Sequence, residues 1–318
     1  MNNRLFRVKK IMIYTVTFNP SLDYVMFMPS LLVGGVSRAE RESIFPGGKG
    51  INVAVVLEQL GFTCTALGFE AGYTGQAMLS MIQGHISHVD FIHLPQGQSR
   101  INVKIKSKEE SDVNGRGPKV SVEDLEKLHQ RLASLTGGDV LVLAGAVSAG
   151  LTSDTYEHIL SRLKDKGVLC IVDATGELLK KSLVHKPFLI KPNAQELADL
   201  FGVSLQTKED IVKYAKKAQE LGARNVLVSL GAEGAMLVCE NGEAQICPAV
   251  KLTGPVVNSV GAGDSMVAGF LAGWLRCQDY TKAITLALAC GGACVMKEWL
   301  PQKEDIKNLL SNPQDYAL

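Results

Sequence analysis

The sequence predicts an α/β fold in which helices cover both faces of a mostly parallel β-sheet. Short apolar runs alternate along the chain with segments of helical length and period. Some runs, such as Val140–Leu143, are apolar at every position, which is typical of strands that are buried on both faces. Because parallel strands need crossover connections, strands of this kind separated by helices indicate a three-layer α/β/α arrangement.

The predicted elements follow one another without an internal repeat or a low-complexity linker. A strand over Ile11–Phe18 is followed by a helix over Gly50–Leu60. Ser121 is a predicted N-cap, because its hydroxyl can accept a hydrogen bond from the first turn of a helix. The other predicted helices are Thr74–Gln83, Val122–Leu135, Thr152–Lys164, Ala194–Phe201, Ile211–Leu221, Ala262–Arg276 and Lys282–Val295. The other predicted strands are Thr63–Gly68, Asp139–Ala144, Val168–Asp173, Phe188–Lys191 and Asn225–Leu230, with a hairpin from Ala235–Cys239 and Ala244–Cys247.

Composition and charge exclude several classes of protein. The 318 residues carry a net charge of +1, so no strong positive field is available to hold a nucleic acid. No run of about 18 apolar residues occurs, so no membrane partner is expected. The seven cysteines include no Cys-x-x-Cys pair and predict buried thiols in a reducing compartment. We therefore expect a cytoplasmic protein with a single domain over residues 12–318. Residues 1–11 are expected to be a disordered extension or a mis-assigned start.

The strongest functional signal is the segment Asn258–Ser265, which reads Asn-Ser-Val-Gly-Ala-Gly-Asp-Ser and opens a predicted helix. Glycine lets the backbone approach a ligand closely, and the free N–H groups of a helix N-terminus bind anions. Asp264 at this place can accept a proton from a hydroxyl that attacks a phosphoryl group. The alternative is that Asp264 is the N-cap of the helix, and this motif alone leaves both interpretations open.

A second glycine turn, Pro46–Gly50, opens the helix that contains Asn52. It is not a P-loop, because the pattern Gly-x-x-x-x-Gly-Lys-[Ser/Thr] is absent. Its N–H groups, with Asn52, are candidates for binding sugar hydroxyls or phosphate, although a turn that only starts a helix is an open alternative. Asp23 follows the first strand, where α/β proteins bind ligands, and its carboxylate can hold two adjacent sugar hydroxyls, although a structural role in the turn is an open alternative.

Asn193 and Glu196 stand at the start of another predicted helix. Their spacing suits a capping box, in which each side chain bonds to the backbone of the other residue. It also suits a pair that orients water around Mg²⁺ near the phosphates of a nucleotide. Both interpretations can hold together.

The segment Arg100–Lys106 alternates strictly between polar and apolar residues. A strand places alternate residues on opposite faces, so three cations and Asn102 share one face. An ordinary half-exposed strand is one interpretation. The other is a flap that closes over an anionic substrate, with residues 24–46 and 91–118 forming a small β-sheet lid.

Taken together and in this order, these motifs resemble the ribokinase/PfkB family of carbohydrate kinases over nearly the whole chain from Met12. Within the family, three segments resemble the kinases of fructose 1-phosphate: Thr17–Tyr24, Arg100–Lys106 and Val257–Ser265. The resemblance implies a ribokinase-like, Rossmann-like domain with a β-sheet lid, ATP and Mg²⁺ as cofactors, and a homodimer that forms through the lid. It implies phosphorylation of D-fructose 1-phosphate at the C6 hydroxyl. A tagatose-6-phosphate kinase and a non-catalytic sugar-phosphate sensor are the alternatives.

The resemblance also implies roles for individual residues. The catalytic base is expected to be Asp264, beside an anion hole formed by Gly261, Ala262 and Gly263. The sugar is expected to contact Asp23, Gly47, Gly48, Lys49 and Asn52, and its phosphate to contact Arg38, Arg100, Asn102 and Lys104. The nucleotide is expected at Lys191, Asn193, Ser229, Gly231, Gly234, Asn258 and Ser259. Mg²⁺ is expected to be held through water by Asn193 and Glu196.

The chain departs from the family pattern at two places. After Leu143–Gly145, relatives usually carry Ser or Asn and then Pro, whereas this chain carries Ala-Val and then Ser148. One hydrogen bond to the substrate is therefore expected to be lost or to be supplied by Ser148. The segment Ala289–Cys294, near the expected adenine site, is also unusual.

Overall fold

Two β-sheets organise residues 11–318, the part of the chain that the computed structural model describes. The strands are β1 (Ile13–Thr17), β2 (Ser21–Phe27), β3 (Arg41–Gly47), β4 (Cys64–Ala71), β5 (His88–Leu94), β6 (Arg100–Lys106), β7 (Ser111–Asn114), β8 (Val140–Ala144), β9 (Leu169–Asp173), β10 (Leu189–Ile190), β11 (Asn225–Ser229), β12 (Ala235–Val238) and β13 (Ala244–Cys247). The helices are α1 (Lys49–Gln59), α2 (Gly72–Ile82), α3 (Val122–Leu132), α4 (Thr155–Arg162), α5 (Gly176–Ser182), α6 (Ala194–Phe201), α7 (Lys208–Glu220), α8 (Ala262–Cys277), α9 (Tyr280–Val295) and α10 (Lys303–Lys307).

The larger sheet has the strand order β13-β12-β11-β10-β9-β8-β1-β4-β5. All neighbours from β11 to β5 are parallel, and β12 and β13 add the predicted antiparallel hairpin at one edge. One hydrophobic cluster packs α1, α8 and α9 on one face, and a second cluster packs α3, α4, α6 and α7 on the other. This arrangement confirms the predicted three-layer α/β/α fold.

The central position of β1 determines where a ligand can bind. From β1 the chain proceeds to β4 and β5 on one side and returns to β8 on the other. The helices therefore diverge beyond the carboxyl ends of β1 and β8, and α/β proteins bind ligands in the crevice at such a switch point. The glycine turn after β3 and the segments after β9, β10 and β11 all open at this edge.

Helices α8 and α9 lie unusually close together, which fixes the helix that carries Asp264. A Cβ atom added to Gly269 would lie 2.6 Å from the carbonyl oxygen of Leu286, and one added to Gly273 would lie 2.8 Å from the Cα atom of Ala283. A larger side chain at either glycine would push the two helices apart. The small residues of these apolar helices are therefore explained by packing.

The smaller sheet has the order β3-β2-β6-β7, with β2 and β6 parallel. Polar and apolar residues of β6 lie on opposite faces of the sheet, as predicted. Asn102 and Lys104 are buried, whereas Ile101 is 45% exposed. The polar face of the sheet thus points inward and the apolar face outward, which is the reverse of an ordinary half-exposed strand. Whether this sheet moves as a lid stays a prediction.

Part of the predicted lid segment 91–118 belongs elsewhere. Residues 91–94 are the second half of β5, which pairs with β4 at the edge of the larger sheet. An edge strand has polar residues on its exposed side, and β5 reads His-Val-Asp-Phe-Ile-His-Leu, so its sequence lacks the continuous apolar run of a central strand.

The structure bears on several other expectations. The predicted extension over residues 1–11 lies outside the described residues, apart from Ile11, and the single-domain boundary stays a prediction. In the described part of the chain, no helix is long and apolar enough to cross a membrane. The seven cysteines are free thiols, of which four are buried. Ser121 is the N-cap of α3, and its side chain accepts a hydrogen bond from the backbone of Asp124, as predicted.

Candidate active site

A cavity of about 790 Å³ opens at the carboxyl edge of the larger sheet and is also lined by the smaller sheet. The structure brings most of the predicted site residues together around it. They are Asp23, Gly48, Lys49, Asn52, Arg100, Asn102, Lys104, Lys191, Asn193, Glu196, Ser229, Gly231, Gly234, Ser259, Gly261, Ala262, Gly263 and Asp264.

Three predicted site residues lie outside this lining. Gly47 and Asn258 border a small adjoining pocket of about 20 Å³. A Cβ atom on Gly47 would lie 2.8 Å from Oδ1 of Asp23, so this glycine leaves room for the Asp23 carboxylate. Arg38 lies exposed in the connection between β2 and β3 and lines neither pocket. The structure therefore does not bring Arg38 to the cavity.

Asp264 lines the cavity from the first turn of α8. The N-cap of this helix is Gly261, with a φ angle of 83°, so the alternative that Asp264 is the N-cap is wrong. The Asp264 side chain is almost fully buried, and Nδ2 of Asn52 donates a hydrogen bond of 2.7 Å to its Oδ2 atom. The left-handed conformation of Gly261 turns the preceding loop, so that the N-terminus of α8 faces the cavity.

Asp173 is a charged residue of the site that the sequence analysis missed. It ends β9, is 1% exposed, and lies between two lysines at 3.2 Å from Nζ of Lys49 and 3.6 Å from Nζ of Lys191. Its position at the carboxyl end of a buried strand is the same signal that pointed to Asp23. That signal was available in the sequence but is weak, because many strands end in an acidic residue for structural reasons.

The carboxylate of Asp173 and burial together change the proton affinity of Asp264. Burial, followed by the negative charge of Asp173, raises the pKa of Asp264 to about 6, against the opposing effects of Lys49, the Asn52 hydrogen bond and Lys191. Burial by itself lowers the pKa of Lys49, but the carboxylates of Asp173 and Asp264 leave the net shift upward. Asp264 is thus a carboxylate that binds protons more tightly than usual, beside a lysine that keeps its charge.

Asn193 and Glu196 form the predicted capping box at the start of α6. Oδ1 of Asn193 accepts a hydrogen bond of 2.8 Å from the N–H of Glu196, and Oε2 of Glu196 accepts one of 2.9 Å from the N–H of Asn193. Within residues 11–318, no group of three or more His, Cys, Asp or Glu side chains could hold a metal ion by itself. Mg²⁺ commonly binds one or two carboxylates together with water and substrate phosphates, and a single carboxylate on the cavity wall fits that mode.

The far end of the cavity has an apolar wall that the sequence analysis identified only in part. It continues from the turn at Gly231 and Gly234, both of which have positive φ angles, to Gly291 and Gly292 of α9. The unusual segment around Cys290 thus lies at this wall, with the cysteine itself buried behind it. The residues that were missed are Ala232, Ala249, Val250, Leu252, Val256, Met266, Leu288 and Val295.

The smaller sheet contributes a polar network at the opposite side of the site. Nδ2 of Asn102 donates a hydrogen bond of 2.8 Å to Oδ1 of Asp23, and the Ser21 hydroxyl donates another of 2.8 Å to the same atom. Nε of Arg100 donates to the carbonyl oxygen of Asn19, and burial lowers the pKa of Arg100 although Asp23 opposes this shift. These contacts fix the orientation of Asp23 and keep a cation beside it.

Ser148 does not reach the cavity. Its side chain is buried, and its hydroxyl donates a hydrogen bond of 2.6 Å to the carbonyl oxygen of Phe18. Of the two expected alternatives, a substrate contact supplied by Ser148 is therefore wrong, whereas the loss of that contact stays a prediction. Its role is to tie the connection after β8 to the end of β1.

Comparisons with known proteins agree with this fold. The profile described as pfkB family carbohydrate kinase matches residues 16–299, and the chain belongs to this family of carbohydrate kinases. The 1-phosphofructokinase of Bacillus subtilis is 40% identical over 299 residues, which cover 94% of this chain and 97% of that protein. The D-tagatose-1-phosphate kinase of Bacillus licheniformis is 33% identical over 261 residues, or 82% of this chain and 84% of that protein. The crystal structure of phosphofructokinase-2 from Escherichia coli in complex with substrates and products has a TM-score of 0.87 and 27% identity, and the match covers 96% of this chain and 99% of that chain.

Replacing Asp173 by Asn is expected to shift the pH dependence of catalysis. With Asp264 as the predicted base, kcat/KM is expected to fall as the pH falls through its pKa of about 6, because a base must be unprotonated to act. Because the negative charge of Asp173 raises that pKa, its removal lowers the pKa, and the acid limb of the profile moves to lower pH. The measurement is kcat/KM against pH for both proteins. Asp124→Asn, which changes a carboxylate paired with Lys127 on α3, is the matched control. An acid limb that stays in place or moves to higher pH contradicts the coupling.

Proposed function

We propose that this protein transfers the γ-phosphate of ATP to the C6 hydroxyl of D-fructose 1-phosphate. The observation that carries the proposal is the pair of inward-facing cations Arg100 and Lys104 in the same cavity as Asp264. On the larger sheet, the phosphates of the nucleotide are proposed to lie near Lys191 and the N-terminus of α8, with Lys49 contacting the sugar. Two further cations on the smaller sheet are best explained by an acceptor that itself carries a phosphate.

Asp264 has the position and the proton affinity of a general base. In the proposed reaction its carboxylate takes the proton of the C6 hydroxyl as that oxygen attacks the γ-phosphorus in line. The new oxygen–phosphorus bond forms while the bond between the γ-phosphorus and the bridging oxygen breaks, and ADP leaves. Asn52 orients the carboxylate through its hydrogen bond. The backbone N–H groups from Gly261 to Gly263 stabilise charge on the transferred group.

The nucleotide is proposed to lie along the larger sheet, with its base against the apolar wall and its phosphates near Lys191, Asn193, Ser229 and Ser259. Mg²⁺, when bound through water near Glu196, neutralises phosphate charge. Asp23 and Asn102 are proposed to bind the sugar hydroxyls, since their side chains already form a fixed hydrogen-bonding pair. Closure of the smaller sheet as a lid excludes water from the transfer.

A panel of acceptors tests the proposed substrate. We expect fructose 1-phosphate to give the highest kcat/KM in an assay of ADP release, ahead of tagatose 1-phosphate, tagatose 6-phosphate and fructose 6-phosphate. The relative named D-tagatose-1-phosphate kinase supports a ketose phosphorylated at C1 over one phosphorylated at C6. A higher kcat/KM for tagatose 6-phosphate contradicts the assignment. Tight binding of a sugar phosphate without ADP release indicates a sensor.

A homodimer through the smaller sheet is part of the same proposal. The outward face of this sheet exposes Ile44, Ile101 and Val113 by 46%, 45% and 62%, and the strand register places all three on that face. A contiguous apolar face of this kind is typical of a contact between subunits. The molecular mass in solution tests it, since Ile101→Glu is expected to give a monomer. We propose the cytoplasm as the location, where ATP is available and thiols stay reduced.

A further inference from the structure

The segment Glu298–Leu300, which follows α9, touches the smaller sheet. Nη1 of Arg41 lies 2.7 Å from Oε1 of Glu298, and the Ser43 hydroxyl lies 3.5 Å from Oε2 of Glu298. The register of β2 with β3 and β6 places Arg41 and Ser43 on the inward face that also carries Asp23. The carboxylate of Glu298 therefore holds the first half of β3 on the side that faces the cavity.

Trp299 holds the second half of the same strand. Its Nε1 atom donates a hydrogen bond of 3.1 Å to the carbonyl oxygen of Pro46, and its ring stacks on that of Phe45 with an angle of 7° between the planes. Pro46 is the first residue of the glycine turn that begins α1. The segment thus contacts β3 along its whole length.

The same segment supports the loop that leads into α8. Nδ2 of Asn258 donates a hydrogen bond of 3.1 Å to the carbonyl oxygen of Glu298, and Oδ1 of Asn258 accepts one from the N–H of Val260. A Cβ atom on Gly261 would lie 3.0 Å from Cδ2 of Leu300. The loop before Asp264 therefore rests on the segment whose side chains hold β3.

We propose that Glu298 is a positioning residue that couples the position of the smaller sheet to the shape of the loop before Asp264. Its carboxylate bonds to the sheet and its backbone carbonyl bonds to the loop, so movement of one is transmitted to the other. This inference rests on the proposed function, because the loop serves phosphoryl transfer. It also explains why Asn258, a predicted nucleotide contact outside the main cavity, bonds to Glu298 instead.

The exposure of the Arg41–Glu298 pair suits a contact that opens and closes. The two side chains are 48% and 40% exposed, and exposed ion pairs contribute little to the stability of a fold. Such a pair can break and re-form at small cost when the sheet moves. Glu298 also adjoins the substrate side, since it shares the small adjoining pocket with Asp23 and Lys104.

A double-mutant cycle on kcat tests the coupling. We expect Arg41→Ala and Glu298→Ala each to lower kcat for fructose 1-phosphate about tenfold, because small errors of position lower the rate strongly. The double variant should be no slower than either single variant, since both remove the same contact. The matched control is the Arg162–Glu126 pair between α4 and α3, with 54% and 48% exposure, whose alanine variants should keep the wild-type kcat. Additive losses in the cycle, or equal losses in the control pair, would overturn the proposal.

A second readout separates this inference from the proposed function. The chain contains two tryptophans, so Trp274→Phe leaves Trp299 as the single fluorescent reporter in the segment. ATP together with a sugar phosphate from the panel should change Trp299 emission in this background, and Glu298→Ala should abolish the change. If no acceptor in the panel is phosphorylated, the proposed function fails while this measurement still applies. An emission that does not respond, or responds equally with and without Glu298, overturns the coupling.

Discussion

Asp264→Asn is expected to remove most of the turnover and to leave substrate binding intact. Asparagine has nearly the same shape and keeps a hydrogen-bonding oxygen for Asn52, but it cannot accept a proton from the acceptor hydroxyl. Loss of a positioned general base lowers the rate by about 10²–10⁴. The measurements are kcat from ADP release and Kd for fructose 1-phosphate by calorimetry.

The stability of the Asp264→Asn variant is the control for correct folding. The pKa of Asp264 is raised from its ordinary value of 3.8 to about 6, so ionisation costs the folded state about 3 kcal/mol at neutral pH. That cost is absent at pH values below the pKa of Asp264 in the unfolded chain, and it is complete above the pKa of about 6 in the folded protein. The variant should therefore be more stable than the wild type above about pH 6 and not at pH values below 3.8. A folded variant with unchanged kcat contradicts the role of Asp264 as base. An Asp199→Asn variant, on the exposed side of α6, should change neither property.

Lys104→Met is expected to raise KM for fructose 1-phosphate by about one to two orders of magnitude. The Lys104 side chain is 10% exposed and its ammonium lies 3.3 Å from Oδ2 of Asp112 at the inward face of β6. A hydrogen bond to a charged group contributes about 1.5–3 kcal/mol, and each 1.4 kcal/mol is a factor of ten in affinity. The effect should fall mainly on KM for the sugar phosphate, because the phosphate of the acceptor does not react.

Lys106→Met is the matched control for this measurement. Lys106 has the same side chain on the same strand and pairs with Glu110, but it does not line the cavity. Its substitution should leave KM for fructose 1-phosphate unchanged. Equal increases in KM for both variants would indicate a general effect of charge on the smaller sheet, and an unchanged KM for Lys104→Met would contradict a phosphate contact at this residue.

The fold was predictable where one face or both faces of an element are apolar over several turns. The bounds of α6 agree at both ends with the prediction, because Asn193 caps it and Gly202 ends it in the left-handed conformation. The strand β5 and the short helix α5 were not predicted. An edge strand exposes part of its surface, so its sequence lacks a continuous apolar run. A helix of seven residues has only about two turns, which is too short to show a clear helical period of apolar residues.

The site was predictable where the chemistry requires a particular residue type. Asp264, Lys49 and Asn193 stand beside glycine or helix-start signals that point to a ligand. The apolar wall has no such signal, since residues such as Leu252 and Val295 are the same in a core as in a binding site. Asp173 had the signal of a strand end, but its pairing with two lysines depends on the order of strands in the sheet, which the sequence pattern alone does not give.

The central position of β1 has a consequence for how the protein is made. During synthesis β1 leaves the ribosome before the other described strands, yet one of its two partners is β8, and α8 with Asp264 follows much later. Pairing over such a distance in sequence is slow, because the chain between the strands must be ordered first. A nascent chain that already contains Asp23 and Asn102 thus has half of the proposed binding site and lacks the proposed base. The proposed site is therefore complete only after α8 has been made and has packed against the sheet.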